Sequence, residues 1–251
     1  MNAPTNGWLR CTAIVAKREL SSYFATPIAY VFLVVFLLLA GFLTFNLGGF
    51  FEREQANLYS FFTFHPWLYL FLVPAISMRL WAEERRNGTI ELLMTLPLTE
   101  GQTVVGKFVA AWIFAGIALA LTFPIWLSVE YLGDPDRGAI VSGYVGSWLM
   151  GGAFLAIGSL VSACSKNQVV AFVLTAAICF VFVLVDQPWF VDAISWMPAI
   201  FVDLVRSFGF MTRFDGLQKG VVQFDAALYF GSLVALLLYV NTLVVTHVKA
   251  S

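Results

Sequence analysis

Residues 31–43 read VFLVVFLLLAGFL, and none of these side chains is polar. They lie inside a longer stretch, 20–51, that contains no Asp, Glu, Lys or Arg. A helix that crosses a membrane needs about 20 mainly apolar residues. A transmembrane β-strand would instead alternate apolar and polar side chains, which this segment does not do. The stretch therefore predicts a membrane-spanning helix.

Five further charge-free stretches follow along the chain. Together with the first they predict six spans, at 28–48, 60–81, 104–129, 143–163, 168–186 and 226–246. The 251 residues are 60% hydrophobic and 12% charged, against about 45–50% and about 25% in soluble domains. This composition excludes a soluble globule and a disordered chain. We expect one all-α membrane domain over residues 1–251.

The charged residues are distributed unequally between the two sides of these spans. If both termini are cytoplasmic, the inner segments hold nine of the 14 basic residues and five of the 15 acidic ones. The outer loops then hold five basic and ten acidic residues. Loops on the cytoplasmic side of a membrane are enriched in Lys and Arg. The distribution therefore predicts a multi-pass protein whose two termini both face the cytoplasm.

Residues 8–25, before the first span, predict a helix that lies along the inner membrane surface. Apolar side chains recur there at helical spacing and share one face: Leu9, Ala13, Ala16, Leu20 and Phe24. Arg10, Lys17 and Ser21 fall on another face, as is typical of an interfacial helix. Pro27 separates the segment from the first span. A partly ordered tail is the alternative.

Residues 82–103, AEERRNGTIELLMTLPLTEGQT, form the longest predicted cytoplasmic loop. Asn87-Gly88 is a turn signal, and the Thr89 hydroxyl can cap a short helix that Pro97 ends. The apolar residues of this helix fall on one face: Ile90, Leu92, Leu93, Met94 and Leu96. Such a face either folds back onto the bilayer or docks in a groove on a partner. Residues 99–102 fit a capping box that begins the next helix.

Residues 187–225 form the longest outer segment, which is apolar but interrupted. Pro188, Pro198, Gly209 and Gly216 break it too often for a continuous span. Aromatic side chains recur through it: Trp189, Phe190, Trp196, Phe201, Phe208 and Phe210. We expect short re-entrant or interfacial helices with aromatic rings at headgroup depth.

The fourth span is crowded with small residues, and Gly143, Ser147 and Gly151 recur at intervals of four. This small-xxx-small spacing lets membrane helices approach each other closely. It is typical of packing within one subunit, which we favour, and also of a subunit interface.

The chain offers few residues for chemistry of its own. No acidic or basic residue lies firmly within a predicted span, which argues against a proton- or sodium-coupled carrier and an intramembrane protease. His65 and His247 lie near opposite membrane faces, so we expect no histidine metal site. Residues 101–108 resemble a phosphate-binding loop but carry Phe108 where Ser or Thr must bind Mg²⁺. A partner protein is the natural source of energy.

The 82–103 loop and its flanks resemble the corresponding segment of type-2 ABC transporter permeases. That family carries an acidic residue, Gly-Thr, an aliphatic residue, Glu, two Leu, then Pro and a Gly-Lys pair. The matching positions here are Glu83/Glu84, Gly88-Thr89, Ile90, Glu91, Leu92-Leu93, Pro97 and Gly106-Lys107. Residues 15–30 are similar to the N-terminal interfacial helix of this family. RFDGLQKGVVQFDAALYF (213–230) is similar to the subgroup with the gliding-motility and nitrous-oxide-reductase-maturation permeases.

The resemblance implies a half-transporter. Two such permeases, identical or related, would pair with two separate ATPase subunits that bind ATP and Mg²⁺. This chain would then be no enzyme and hold no cofactor or metal. The helix at 89–96 would be the coupling helix, with ATPase contacts from Gly88, Thr89, Glu91, Leu92, Leu93 and Met94 and a flanking ionic layer of Glu83, Glu84, Arg85 and Arg86. A solvated charge cluster is the alternative for that layer.

The resemblance also implies an outer gate formed by residues 187–225, for which the candidate residues are Trp189, Trp196, Phe208 and Phe210. The chain is therefore predicted to be the permease subunit of an ABC exporter in a bacterial inner membrane. An apolar cargo such as a lipid suits the charge-free spans. Two alternatives stay open: a membrane anchor or scaffold that uses the ATPase contact to work on an outer-face partner, and an ATP-independent carrier.

Overall fold

The computed structural model describes residues 5–52, 56–88, 98–220 and 224–250. Within these ranges the chain is helical and contains no β-strand, which confirms the all-α prediction. The helices follow in chain order: α1 (Thr5–Phe24), α2 (Pro27–Phe42), α3 (Tyr59–Thr63), α4 (His65–Ser77), α5 (Ala82–Asn87), α6 (Glu100–Ala120), α7 (Phe123–Leu132), α8 (Arg137–Cys164), α9 (Gln168–Leu184), α10 (Pro188–Ala193), α11 (Ala199–Ser207), α12 (Phe210–Gln218) and α13 (Phe224–Ala250). A π-helical turn, Leu43–Leu47, extends α2.

Among the described residues, four helical segments are long and apolar enough to cross a membrane: Pro27–Leu47, Glu100–Leu132, Arg137–Cys164 and Phe224–His247. They coincide with the first, third, fourth and sixth predicted spans. The fifth predicted span is α9, which is apolar but has only 17 residues. The protein is therefore a multi-pass helical membrane protein. Six crossings stay a prediction.

The second predicted span, 60–81, is not one continuous helix. It is divided into α3 and α4, which ends at Ser77, and turns follow to Trp81. Pro66 lies at the start of α4, where its missing N–H leaves no helical hydrogen bond unmade. Pro74 lies inside the same helix, where it removes a backbone donor. Pro66 therefore accounts for the division between α3 and α4, whereas Pro74 lies within a helix that continues past it.

Helix α8 is the central element, and it packs against α4, α6, α9, α12 and α13. Its small residues allow this close packing. A Cβ at Gly143 would lie 2.4 Å from the ring of Phe62, and one at Gly158 would lie 2.0 Å from the hydroxyl of Ser77. Real Cβ atoms do not come so close, so both positions require glycine. The small residues thus serve packing within the subunit, as we favoured from the sequence.

Helix α1 lies along α6 at one end of the bundle. A Cβ at Gly106 of α6 would lie 2.7 Å from Val15 of α1, so the two backbones approach closely. The last turns of α13 reach the same end, where Thr242 lies beside Gly101. We call this the inner end, because the charge distribution predicts that it faces the cytoplasm. It comprises α1, the α4–α5 junction, the start of α6 and the C-terminal turns of α8 and α13.

Candidate functional site

Helix α5 leads directly into the loop predicted to contact an ATPase. It ends at Gly88, whose φ of +68° is left-handed and favours glycine, and the predicted turn is confirmed. The predicted coupling helix, with Thr89, Glu91, Leu92, Leu93 and Met94, lies in 89–97, outside the described residues. The chain is described again from Leu98. The loop is thus anchored by α5 before it and by α6 after it.

The anchor on the α6 side is the predicted capping box. The Thr99 hydroxyl accepts a hydrogen bond from the backbone N–H of Gln102 at 3.3 Å. In return, the Gln102 side-chain oxygen accepts from the backbone N–H of Thr99 at 2.9 Å. Two N–H groups that the first turn of a helix leaves free are thereby satisfied. The start of α6, and with it the end of the loop, is fixed by local interactions.

The anchor on the α5 side is made by another helix. The hydroxyl oxygen of Ser162, in α8, accepts hydrogen bonds from the backbone N–H groups of Trp81 and Ala82, each at 3.1 Å. The same hydroxyl donates to the carbonyl of Met78 at 3.0 Å. Arg85 then donates to the carbonyl of Ala163, also in α8, at 2.5 Å. Both ends of α5 are therefore tied to the last turns of α8.

The indole of Trp81 extends this connection to α13. It is fully buried, and its Nε1–H donates to the Ser159 hydroxyl at 3.2 Å. The side-chain amide of Asn241, in α13, donates to the same hydroxyl at 2.7 Å. Polar groups buried in a membrane bundle stabilise it when they bond across helices. Trp81, Ser159 and Asn241 thereby connect α5, α8 and α13 where water is excluded.

Lys107 connects α5 to α6 and to α1. Its side chain is 3% exposed, and its Nζ lies 2.7 Å from a carboxylate oxygen of Glu84 and 3.3 Å from one of Glu19. The ammonium also lies 5.4 Å from the centre of the Trp81 ring, within range of a cation–π interaction. A buried ammonium is costly unless carboxylates compensate it, and here two do so. The cluster joins three helices through one cation.

The residues around Glu19 lower the pKa of its carboxyl. Burial by itself opposes ionisation of this group, but the charges of Lys107 and Arg18 outweigh the effect and lower its pKa. Arg18 donates to the second Glu19 oxygen at 2.6 Å. Glu19 is therefore held as a carboxylate at neutral pH, and it bridges the half-exposed Arg18 to the buried Lys107.

The four residues of the predicted ionic layer differ in their contacts within the structure. Glu84 is paired with Lys107 and Arg85 is bonded to α8, so both act within the subunit. Glu83 is half-buried beside a cavity, and Arg86 is exposed, as is Gly88. Arg86 is therefore the member of the layer best placed for contact with another protein.

Sequence reasoning missed the residues that hold this site together. Ser159 and Ser162 are three residues apart in a helix rich in small residues, a context that by itself indicates only close packing. Asn241 is the one Asn or Gln in the last span, and an amide in an apolar span is a signal for an interhelical hydrogen bond. In the sequence, Lys107 stands out only as part of the Gly106-Lys107 pair of the family pattern. None of these signals identifies the partner residue.

The predicted interfacial helix is present as α1, although its protein-facing side is not the predicted apolar face. The side against α6 carries Thr12, Val15 and Ala16, which are buried. The predicted face is turned about a quarter of the way around the helix from it: Leu9 and Ala13 are exposed, Ala16 is buried, and Leu20 and Phe24 are half-buried. Only the N-terminal part of that face, with Leu9 and Ala13, is free to meet a lipid surface, and that contact stays a prediction.

The outer segment forms the short helices α10, α11 and α12, as its broken pattern predicts. Its four candidate gate residues separate into two groups. Trp189, Trp196 and Phe208 are exposed, whereas Phe210 is fully buried. The Phe210 ring packs against Phe154 of α8, with ring centres 5.2 Å apart. Phe210 therefore fixes α12 to the core, and the three exposed rings remain candidates for a gate.

The helical fold defines a multi-pass membrane protein in which α5 is bonded to several other helices at the inner end. Residues 67–195, half of the chain, match the model of the ABC-2 family transporter proteins. The chain belongs to this family, so it is a membrane permease of the ABC transporter class. No curated protein matches the chain.

Proposed function

We propose that this chain is the permease subunit of an ABC exporter and that a separate ATPase subunit docks on residues 89–97. The observation that carries the proposal is the set of bonds anchoring α5 to the bundle. Ser162 holds its first turn, Arg85 holds its last turn to α8, and Lys107 holds Glu84 to α6. A free connecting loop has no reason to be tied to several spans. A loop that passes movement from an ATPase to the spans requires such attachments.

The proposed mechanism follows from these connections. ATP binding would close the ATPase pair and displace the loop that is seated in it. Because α5 is a short helix tied at both ends, it would move as a unit and carry the end of α8 with it. Lys107 would pass the same displacement to α6 and α1. ATP hydrolysis would belong to the partner, and the permease would supply the movement.

The remaining parts of the proposal rest on family membership. Members of a transporter family of this kind work with ABC ATPase subunits. We infer a complex of two ATPases and two permeases, identical or related, in a bacterial inner membrane, with both termini in the cytoplasm. The exposed rings of the outer segment suit a gate or a contact with an accessory protein on the outer face.

The experiment is a purification of the tagged chain from its native membranes in mild detergent, with mass spectrometry of the proteins that accompany it. We expect a stoichiometric ABC ATPase. Leu93→Asp places a charge on the apolar face of the predicted loop helix and should release that ATPase, whereas Leu93→Met keeps the residue apolar and should retain it. Both variants should insert in the membrane and elute like the wild type.

Two outcomes would contradict the proposal in different ways. If no ATPase accompanies the wild-type chain, the permease function itself fails. If the ATPase stays bound to Leu93→Asp, docking on this loop fails. In a reconstituted complex, cargo-stimulated ATP hydrolysis separates the exporter from a scaffold that moves no cargo.

A further inference from the structure

A cavity of about 430 Å³ lies at the inner end between α1, the α4–α5 junction and the start of α6. Its wall includes Arg79, the hydroxyl-bearing residues Ser22, Tyr23 and Thr26, and the apolar side chain of Leu80. The other lining residues are charged, so the wall is mostly polar, with Leu80 as its apolar part. The Lys107 cluster lines one part of the cavity, whereas the side chains of Arg79, Ser22 and Tyr23 take no part in the connection of α5 to the spans.

The cations that line this cavity differ in how they are compensated. Lys107 is paired with Glu19 and Glu84, and Arg18 is paired with Glu19. Within the described residues, Arg79 takes part in no ion pair, and its Nε–H is buried without a hydrogen-bond partner. A buried donor left without an acceptor is costly. Arg79 therefore lines the cavity with a guanidinium charge that forms no ion pair among the described residues.

The phenol of Tyr23 adds a second donor. Burial and the charge of Glu19 raise its pKa, the charge of Arg79 acts in the opposite direction, and Tyr23 and Arg79 line the same cavity. The phenol stays protonated at neutral pH, where it can donate to a ligand. The Ser22 hydroxyl lines the same cavity. A guanidinium with neighbouring hydroxyl donors is suited to an oxyanion.

The carboxylate of Glu83, which also lines the cavity, restricts the charge of that oxyanion. A dianionic phosphate monoester would place two negative charges near this carboxylate, whereas a phosphodiester brings one. Exposed apolar surface next to the cavity favours a ligand that continues into a hydrocarbon chain. Just beyond Thr26, α2 exposes the apolar side chains of Ile28 and Val31.

We propose that this cavity binds the phosphodiester headgroup of an anionic membrane lipid, with Arg79 as the principal contact. Basic pockets between membrane helices on the cytoplasmic side are suited to such headgroups. A lipid held there would contact α1 and the α4–α5 junction at once. The proposal does not depend on the identity of the ATPase or the cargo.

The test uses the purified full-length chain in neutral detergent, with native mass spectrometry and titrations of dioleoyl phosphatidylglycerol. Dioleoyl phosphatidylcholine, which carries no net charge, is the comparison lipid. Arg79→Gln removes the charge, and Arg79→Lys keeps it without the planar donor set. Arg86→Gln is the matched control, since Arg86 is exposed on α5 outside the cavity wall. Elution volume and helical content show whether each variant is folded.

We expect phosphatidylglycerol to bind the wild type and Arg86→Gln equally, to bind Arg79→Gln about tenfold more weakly, and to bind Arg79→Lys at an intermediate level. Equal affinity for Arg79→Gln and the wild type would overturn the proposal, as would equal binding of the two lipids. Inorganic phosphate is the remaining probe. If it displaces the lipid at micromolar concentration, phosphate recognition is supported and a lipid source is overturned.

Discussion

Trp112 of α6 and Trp148 of α8 lie face to face, with ring centres 4.1 Å apart and planes 11° from parallel. Each indole N–H donates to the backbone carbonyl of the other tryptophan, at 2.9 Å and 3.2 Å. The arrangement is reciprocal, because each ring also covers a glycine of the opposite helix, Gly152 or Gly116. Two polar donors are thereby satisfied inside the bundle, where no water replaces them.

This pairing predicts that Gly152→Ala destabilises the protein. The new Cβ would lie 2.8 Å from the Trp112 Nε1, and the stacked rings would have to separate. We expect a loss of about 1–3 kcal/mol, as for other overpacked cores. Thermal unfolding of the purified protein in detergent measures it. Gly231→Ala is the control, since no described atom lies within 4 Å of its added Cβ; equal unfolding temperatures for the two variants would refute the close fit.

Lys107→Met should lower the stability of the protein more than the position of Lys107 near a membrane boundary suggests. The substitution leaves the Glu19 and Glu84 carboxylates without their shared cation in a partly buried cluster. Breaking such a pair costs about 3 kcal/mol. Lys166→Met is the matched control because Lys166 is exposed, and it should unfold like the wild type. Adding Glu84→Gln to Lys107→Met should recover part of the loss, and a double variant no more stable than the single one would argue against this pairing.

The lowered pKa of Glu19 predicts a dependence of stability on pH. The ordinary value for the carboxyl is 4.5, and the folded value lies below it, so the unfolded chain binds protons more readily. The stabilisation is therefore complete above pH 4.5 and is lost as the pH falls through the folded value. Between pH 7 and pH 4, we expect the wild type to lose more thermal stability than Glu19→Gln. If Glu19→Gln loses as much as the wild type, Glu19 does not contribute to the acid response.

The features that the sequence predicts well depend on neighbours in the chain. The capping box at Thr99, the turn at Gly88 and the division of 187–225 into short helices all follow from residues a few positions apart. The small residues of α8 likewise indicate close packing wherever the contacting helix lies. Local patterns are therefore sufficient for caps, turns and the general class of the protein, but they did not predict the break between α3 and α4.

The features that the sequence could not predict depend on distant contacts. Ser162 bonds to residues 80 and 81 positions earlier, and nothing in either segment specifies the pairing. The buried side of α1 was also not predictable, because α6 covers Thr12 and Val15 rather than the most apolar stripe. Nothing in the sequence indicates that Lys107 is buried or that Glu19 and Glu84 are its partners. Contacts between distant parts of the chain determine these features, and the candidate site consists of such contacts.

Ser162→Ala tests whether the attachment of α5 to α8 transmits movement. The variant removes the acceptor of the Trp81 and Ala82 N–H groups and leaves two buried donors without partners. We expect a stability loss of about 1–2 kcal/mol. Ser128→Ala removes an exposed hydroxyl that bonds only to the carbonyl of Pro124 within the described residues, and it should change little. In the complex with its ATPase, Ser162→Ala should keep the ATPase bound while reducing the stimulation of ATP hydrolysis by cargo. Full stimulation in a destabilised variant would show that the attachment supports the fold but does not transmit force.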